Sequence, residues 1–173
     1  MNKRKIKIGI LGGSFDPAHK GHLAISKEAI KRFDLKKIIW AITKKNPLKA
    51  VSKTPISKRI KDCKKLIGSN DFIKVKFYED IINSNKTIDL VNYLKKNKNL
   101  GVFFIMVADN LINFHKWYKS KSITEKCNIV VFDRHGYKKN SLKSKTFKKL
   151  NNKTLTFVKF KKVNISSSQL RRI

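Results

Sequence analysis

The chain is poor in acidic residues and cysteine, and it has no long apolar run. Eleven Asp and Glu stand against 42 Lys and Arg in 173 residues, a formal net charge of +31. A field of that sign attracts any polyanion, whether ATP, nucleic acid or an anionic membrane surface. The excess is mostly Lys, and Lys, Ile and Asn recur along the whole length, as AT-rich coding would produce. Arg and aromatics are not interleaved in one patch, so no specific nucleic-acid surface is expected. Cys63 and Cys127 show neither a pairing pattern nor Cys-x-x-Cys spacing. Both read as reduced, packed residues of a cytoplasmic protein. The longest apolar run, Val102 to Ala108, is too short to span a bilayer, and the apolar segment that follows Lys3 to Lys5 is too brief for a signal sequence. No cage of carboxylates for a metal ion is visible. A hydrophobic content of 40% with 10% aromatics argues against disorder, and the length fits one domain over residues 1–173.

What is present is organised around residues 8–22. Ile6, Ile8 and Ile10 alternate with Lys5, Lys7 and Gly9, then Leu11 leads into Gly12-Gly13. This reads as a strand ending in a turn where backbone amides can approach a ligand closely. Ser14, Phe15 and the turn-forming pair Asp16-Pro17 follow, and from His22 to Phe33 apolar residues recur at helical spacing. His19 and His22 therefore fall at the start of a helix, three residues apart and able to face the same way. Free amides and the helix dipole favour a phosphate there. Taken alone, Gly-Gly reads as a tight turn; joined to two histidines it reads as phosphate handling. No Walker-type loop and no Gly-x-Gly-x-x-Gly fingerprint occurs.

Further strands are expected at 37–43, 72–78, 102–108, 128–132 and 155–160. Helices are expected from Thr54-Pro55 to Gly68, with Thr54 as N-cap, and around Ile88, Val91 and Leu94. The segment 102–108 is apolar without alternation, as a strand buried on both faces of a parallel sheet should be. The basic segment from Arg134 to Lys149 is either a solvated insertion or a substrate lid. The alternation of strands and helices predicts an α/β fold, an open doubly wound (Rossmann-like) parallel sheet with its ligand crevice at the carboxyl ends of the strands. Gly12 to His22, Asn46 to Lys49, Asp109-Asn110 and Ser166 to Arg171 should all meet at that edge.

His19-Lys20-Gly21-His22 after a Gly-rich turn resembles the His-x-Gly-His motif of the nucleotidylyltransferase superfamily. Ile165-Ser-Ser-Ser-Gln-Leu-Arg171 resembles that superfamily's second signature, Ile-Ser-Ser-Thr-x-Ile-Arg, with Ser168 for Thr and Leu170 for Ile. Asn46-Pro-Leu-Lys49, Thr87-Ile-Asp-Leu90, Val107-Ala-Asp-Asn110 and Phe114-His-Lys-Trp-Tyr118 extend the resemblance, most closely to the nicotinate-nucleotide adenylyltransferase branch. The Phe-x-Lys-Trp element separates it from the pantetheine-phosphate branch.

The resemblance implies ATP and nicotinate mononucleotide as substrates, with Mg²⁺ carried mainly on the ATP phosphates. It implies His19, His22 and Arg171 as catalytic residues. Gly12, Gly13, Ser14, Phe15, Ser166, Ser167 and Ser168 would bind ATP, while Lys49, Thr87, Asp109 and Trp117 would bind the mononucleotide. Trp117 would stack on the pyridine ring, although a packed helix anchor is the competing reading. A homo-oligomer is left open. Val107 stands where the family usually has Gly, His135 stands within an expected Arg-Pro-Gly, and the chain ends at Ile173, where the family generally adds a C-terminal helix. The rival readings are a phosphopantetheine adenylyltransferase and a basic RNA-associated protein that kept the fold without the chemistry.

Overall fold

The computed structural model describes residues 5–45, 52–150, 153–160 and Leu170. Six strands form one sheet: β1 (Ile6–Gly13), β2 (Lys37–Ile42), β3 (Ile73–Phe77), β4 (Leu100–Val107), β5 (Asn128–Phe132) and β6 (Leu155–Val158). Their order is β3-β2-β1-β4-β5-β6 and every neighbouring pair is parallel. The doubly wound expectation is met, and the strand order reverses between β1 and β4, where such sheets open a crevice. The eight helices among the described residues are α1 (Lys20–Phe33), α2 (Ile56–Ile67), α3 (Glu79–Ile82), α4 (Thr87–Lys95), α5 (Ala108–Asn113), α6 (Ser120–Lys126), α7 (Lys138–Leu142) and α8 (Lys145–Leu150). None is long and apolar enough to cross a membrane.

Two cores follow from period-two alternation in strands covered on both faces. One face of the sheet, with Ile8, Ile10, Val102, Phe104 and Met106, packs with Val91 of α4, Leu111 of α5 and Ile123 of α6. The other, with Ile38, Trp40, Ile105 and Val130, packs with Ile25 and Ala29 of α1 and Cys63 of α2. Both cysteines are free and buried. Burial pushes each thiol up to about 12, which leaves them unreactive packing groups.

Three local expectations are corrected. The α2 N-cap is Pro55, without a side-chain hydrogen bond, and Thr54 lies one residue further out. The one-turn helix α3 was not foreseen, since four residues carry no readable period. Most plainly, the basic segment 134–149, expected as a loop that is either a solvated insertion or a substrate lid, is not a structureless loop, although its lysines are exposed. It contains α7 and α8, which pack on α5. Phe147 and Leu150 of α8 pack against the core, and Ser141, Ser144 and Thr146 are buried among them, a mixture of apolar and small hydroxyl residues that a search for apolar periodicity passes over.

Gly9 lies mid-strand under the α1 side of the sheet. A Cβ there would stand 2.9 Å from Ile105 Cδ1 and from Ile38 Cγ1, and 3.0 Å from Leu35 Cδ1. Ile38 Cγ1 is not a free chain end and cannot swing aside. Gly9→Ala should therefore cost about 1–3 kcal/mol through overpacking, read as a lowered urea midpoint with an unchanged m-value.

Candidate active site

β1 delivers Gly12 and Gly13 to the carboxyl edge of the sheet. A Cβ at either would meet Phe104 at 3.8 Å or Phe15 at 3.5 Å, ordinary contact distances. Packing thus does not demand glycine here; what a side chain would fill is the space over the strand end, where a cavity of about 530 Å³ opens.

Beyond the glycines the chain turns through Phe15 at φ +49° and enters α1 at His19, the N-cap. The helix start is closed by imidazoles. His19 Nδ1 accepts a hydrogen bond from the Gly21 amide at 3.1 Å, and His22 Nδ1 accepts one from the His19 amide at 3.1 Å. This is a capping box with histidine in both roles. A ring nitrogen that accepts carries no proton, so each imidazole is the neutral tautomer with its hydrogen on Nε2. Burial, and next the charge of Arg134, pull the His19 pKa down from 6.5 to about 4. The two rings lie 3.9 Å apart.

Beneath them is a buried stack. The Phe15 ring is 4.7 Å from His22 and lies 5.0 Å from Trp40 at an interplanar angle of 18°. Trp40 Nε1 donates to Ser26 Oγ at 2.9 Å, and Ser26 Oγ donates to the His22 carbonyl at 2.8 Å. Phe15 is 2% exposed. Of the residues expected to touch ATP, Phe15 can therefore offer only its backbone, and its ring supports the histidine.

At the neighbouring strand ends, Asp109 opens α5 and Arg134 follows β5. Arg134 Nη1 donates to Asp109 Oδ2 at 2.6 Å, and both side chains are largely buried. Asp109, expected to hold the nucleotide, thus already has one oxygen on a guanidinium that also acts on His19. Arg134 was not foreseen as a site residue. Its place two residues past the end of β5, on the edge where topology collects ligands, was the available signal. Arg59 was also missed. It is 3% exposed on α2, and it donates from Nη1 to the carbonyls of Ser14 (2.7 Å) and Thr43 (2.8 Å) and from Nε to that of Thr54 (2.9 Å).

The cavity is lined by Gly12 and Gly13, by Thr43 and Glu79, and by Thr87, Asn110 and Trp117 among others. Thr87 is the first residue of α4, whose start has no side-chain cap. Trp117 is half-buried, edge-on to Phe104 at 5.9 Å and 5.2 Å from Phe114, with another part of its surface on the cavity. Trp117 is thus a packed residue, as the anchor reading expects, and it also faces the cavity. His19 and His22 are not among the cavity's lining residues, whereas Gly12 and Gly13 are. Val107, in place of Gly, has extended backbone at φ −101° that any residue adopts, and its side chain packs on the α1 side of the sheet. Lys49, Ser166, Ser167, Ser168 and Arg171 lie outside the described residues. Among the described residues, no group of three or more His, Cys, Asp or Glu could hold a metal ion.

The depressed His19 pKa has a defined consequence for stability. The unfolded chain takes up a proton near pH 6.5, whereas the folded chain resists it down to about 4. This contribution is present above pH 6.5 and is lost as the pH falls toward 4. Unfolding free energy measured in urea between about pH 7 and pH 4.5 should fall more steeply for the wild type than for His19→Asn, which caps the helix without titrating.

Residues 10–173 match the cytidylyltransferase-like family. Over its whole length the chain is 66% identical to a probable nicotinate-nucleotide adenylyltransferase of Pelagibacter ubique (strain HTCC1062), covering 96% of that protein. A second of that name, from Agrobacterium fabrum (strain C58), is 37% identical over 131 residues, 75% of this chain and 70% of that protein. The fold is similar to that of the Plasmodium falciparum nicotinic acid mononucleotide adenylyltransferase complexed with NaAD, with a TM-score of 0.78 at 20% identity over 96% of this chain and 82% of that one. A histidine-capped helix at the edge of a 3-2-1-4-5-6 sheet and a full-length relative at this identity agree: the chain belongs to the cytidylyltransferase-like family, in its nicotinate-nucleotide adenylyltransferase branch.

Proposed function

We propose that the protein transfers AMP from ATP to nicotinate mononucleotide, giving nicotinate adenine dinucleotide and pyrophosphate, in NAD biosynthesis. The observation that carries this reading is the pair of imidazoles whose Nδ1 atoms are occupied by backbone amides. Their Nε2–H groups are thereby fixed as neutral donors at a helix start, where a phosphate is favoured.

The acceptor's phosphate oxygen attacks the α-phosphorus of ATP, the bond from that phosphorus to the bridging oxygen breaks, and pyrophosphate leaves with the electron pair. No protein nucleophile is required. Charge grows on the oxygens around the α-phosphorus and on the leaving group, so catalysis rests on alignment and on donors already in place. His22 donates at the α-phosphate and His19 along the triphosphate. Mg²⁺ enters as part of the ATP substrate, held by phosphate oxygens and water rather than by protein carboxylates. Arg171 with Ser167 and Ser168 is assigned to the β- and γ-phosphates, and Lys49 to the acceptor's phosphate. The mononucleotide occupies the cavity, its ring against Trp117 and its carboxylate at the uncapped start of α4 beside Thr87. Asp109 holds the nucleotide with the oxygen geometry that Arg134 sets.

Pyrophosphate release should be followed with ATP and Mg²⁺, offering nicotinate mononucleotide, nicotinamide mononucleotide and phosphopantetheine in parallel. Turnover is expected with the nicotinate nucleotide; turnover with phosphopantetheine instead, or with no acceptor, would reject the assignment. His22→Ala should lower kcat about 10²–10³-fold, the effect of losing one preorganised donor. Trp117→Ala should raise the KM for the mononucleotide roughly tenfold, the worth of one aromatic contact, and leave that for ATP unchanged.

A further inference from the structure

Among the described residues, Arg59 is a buried cation that the reaction above does not use. Its three acceptors belong to three separate segments. Ser14 lies in the turn after β1, Thr43 directly follows β2, and Thr54 precedes α2. The Ser14 and Thr43 carbonyls share one guanidinium nitrogen. The Thr43 amide in turn donates to the Gly13 carbonyl at 3.0 Å. Two consecutive carbonyls of the turn, Gly13 and Ser14, are thus pinned, one by Thr43 and one by Arg59. The next residue is Phe15, an aromatic side chain held at φ +49°. That region disfavours a bulky residue and persists only where the surroundings enforce it. The Phe15 ring then lies under His22. A second link joins the same segments, since Ser52 Oγ donates to Asp16 Oδ2. Asp16 and Glu79 are the acidic side chains whose field reaches Arg59.

We propose that Arg59 is a positioning residue for adenylyl transfer: through the Ser14 carbonyl its guanidinium holds the β1–α1 turn in the conformation that fixes the His22 ring. The proposal rests on the function assigned above. The acceptors are served from two separate nitrogens of one rigid planar fork, Nε and Nη1, whereas a lysine ammonium would offer its donors from a single mobile point. Arg59 touches none of the reacting groups; it acts through Phe15 and His22, where a misplacement of about 1 Å can cost about 10²-fold in rate.

The test combines Arg59→Met, Arg59→Lys and a cycle with His22→Ala. In Arg59→Met, kcat should fall by at least about tenfold while the KM for ATP changes by less than about threefold, and Arg59→Lys should fall between Met and wild type. Against a His22→Ala background, adding Arg59→Met should lower kcat by no more than about twofold, because the route through His22 is already gone. Histidine ¹⁵N spectra supply a readout without turnover. In the wild type, His22 should show one tautomer with an unprotonated Nδ1, and in either Arg59 variant that signature should give way to averaging. Full multiplicative loss in the double variant would overturn the proposal. So would a lowered Tm with unchanged kcat per folded molecule, or an intact single tautomer in both Arg59 variants. Should Arg59→Met fail to fold, Arg59→Lys decides by the same readouts. Absence of nicotinate turnover in the wild type would count against the assigned function alone, and the tautomer spectra would still decide the role of Arg59.

Discussion

An α-helix opens with backbone amides that have no partner inside it, and in α1 two of the groups at that opening are taken by imidazole nitrogens. A serine or aspartate would cap the helix as well, but it would leave nothing over. An imidazole has two ends. The end spent on the backbone fixes the tautomer, and the other end emerges as a donor whose direction is set by the helix itself. The site depends on this division of labour, because helix termination and donor placement become one event. The Phe15, Trp40 and Ser26 stack below restricts ring tilt, and Arg59 restricts the turn that leads in.

The sheet supplies the second requirement, a common edge. Gly13, Thr43, Asp109 and Arg134 come from strand ends that are separated in sequence but brought together by parallel pairing. Because the order reverses between β1 and β4, the helices that follow these two strands diverge and leave room at their ends. In the proposed reaction the triphosphate is held at α1, and the acceptor takes the cavity that Gly12 and Gly13 line. A group transfer needs two bound reactants meeting at one point, and in that proposal the strand end at Gly12-Gly13 is that point.

Much of this was legible because it is written in side chains with a period. All six strands and the helices α1, α2 and α4 follow apolar spacing, and the histidine pair stands out from it. What escaped is written otherwise. Arg59 sits on the buried face of α2 between Ile56 and Cys63, where apolar spacing alone treats a charged residue as an interruption. Its partners are three carbonyls, which every residue owns and no sequence displays. The segment that forms α7 and α8 buries Ser141, Ser144 and Thr146 beside Phe147 and Leu150, and the hydropathy of those hydroxyl residues says surface although their size permits close packing. The Arg134–Asp109 pair joins positions 25 apart that only the β4–β5 pairing makes neighbours.

That pair also has a stoichiometric side. With 11 carboxylates to 42 strong bases, one-to-one matching leaves most cations without an acidic partner, so carboxylate is the limiting reagent of this chain. Asp16 and Asp109 are spent in the interior of the site, on Ser52 and on Arg134, while the bulk of the lysines stay in solvent. Tolerance to substitution is therefore lopsided. A surface lysine can be exchanged with little effect, because no counterpart is stranded. Loss of Asp109 from the edge of the sheet takes from Arg134, a largely buried guanidinium, the carboxylate it donates to.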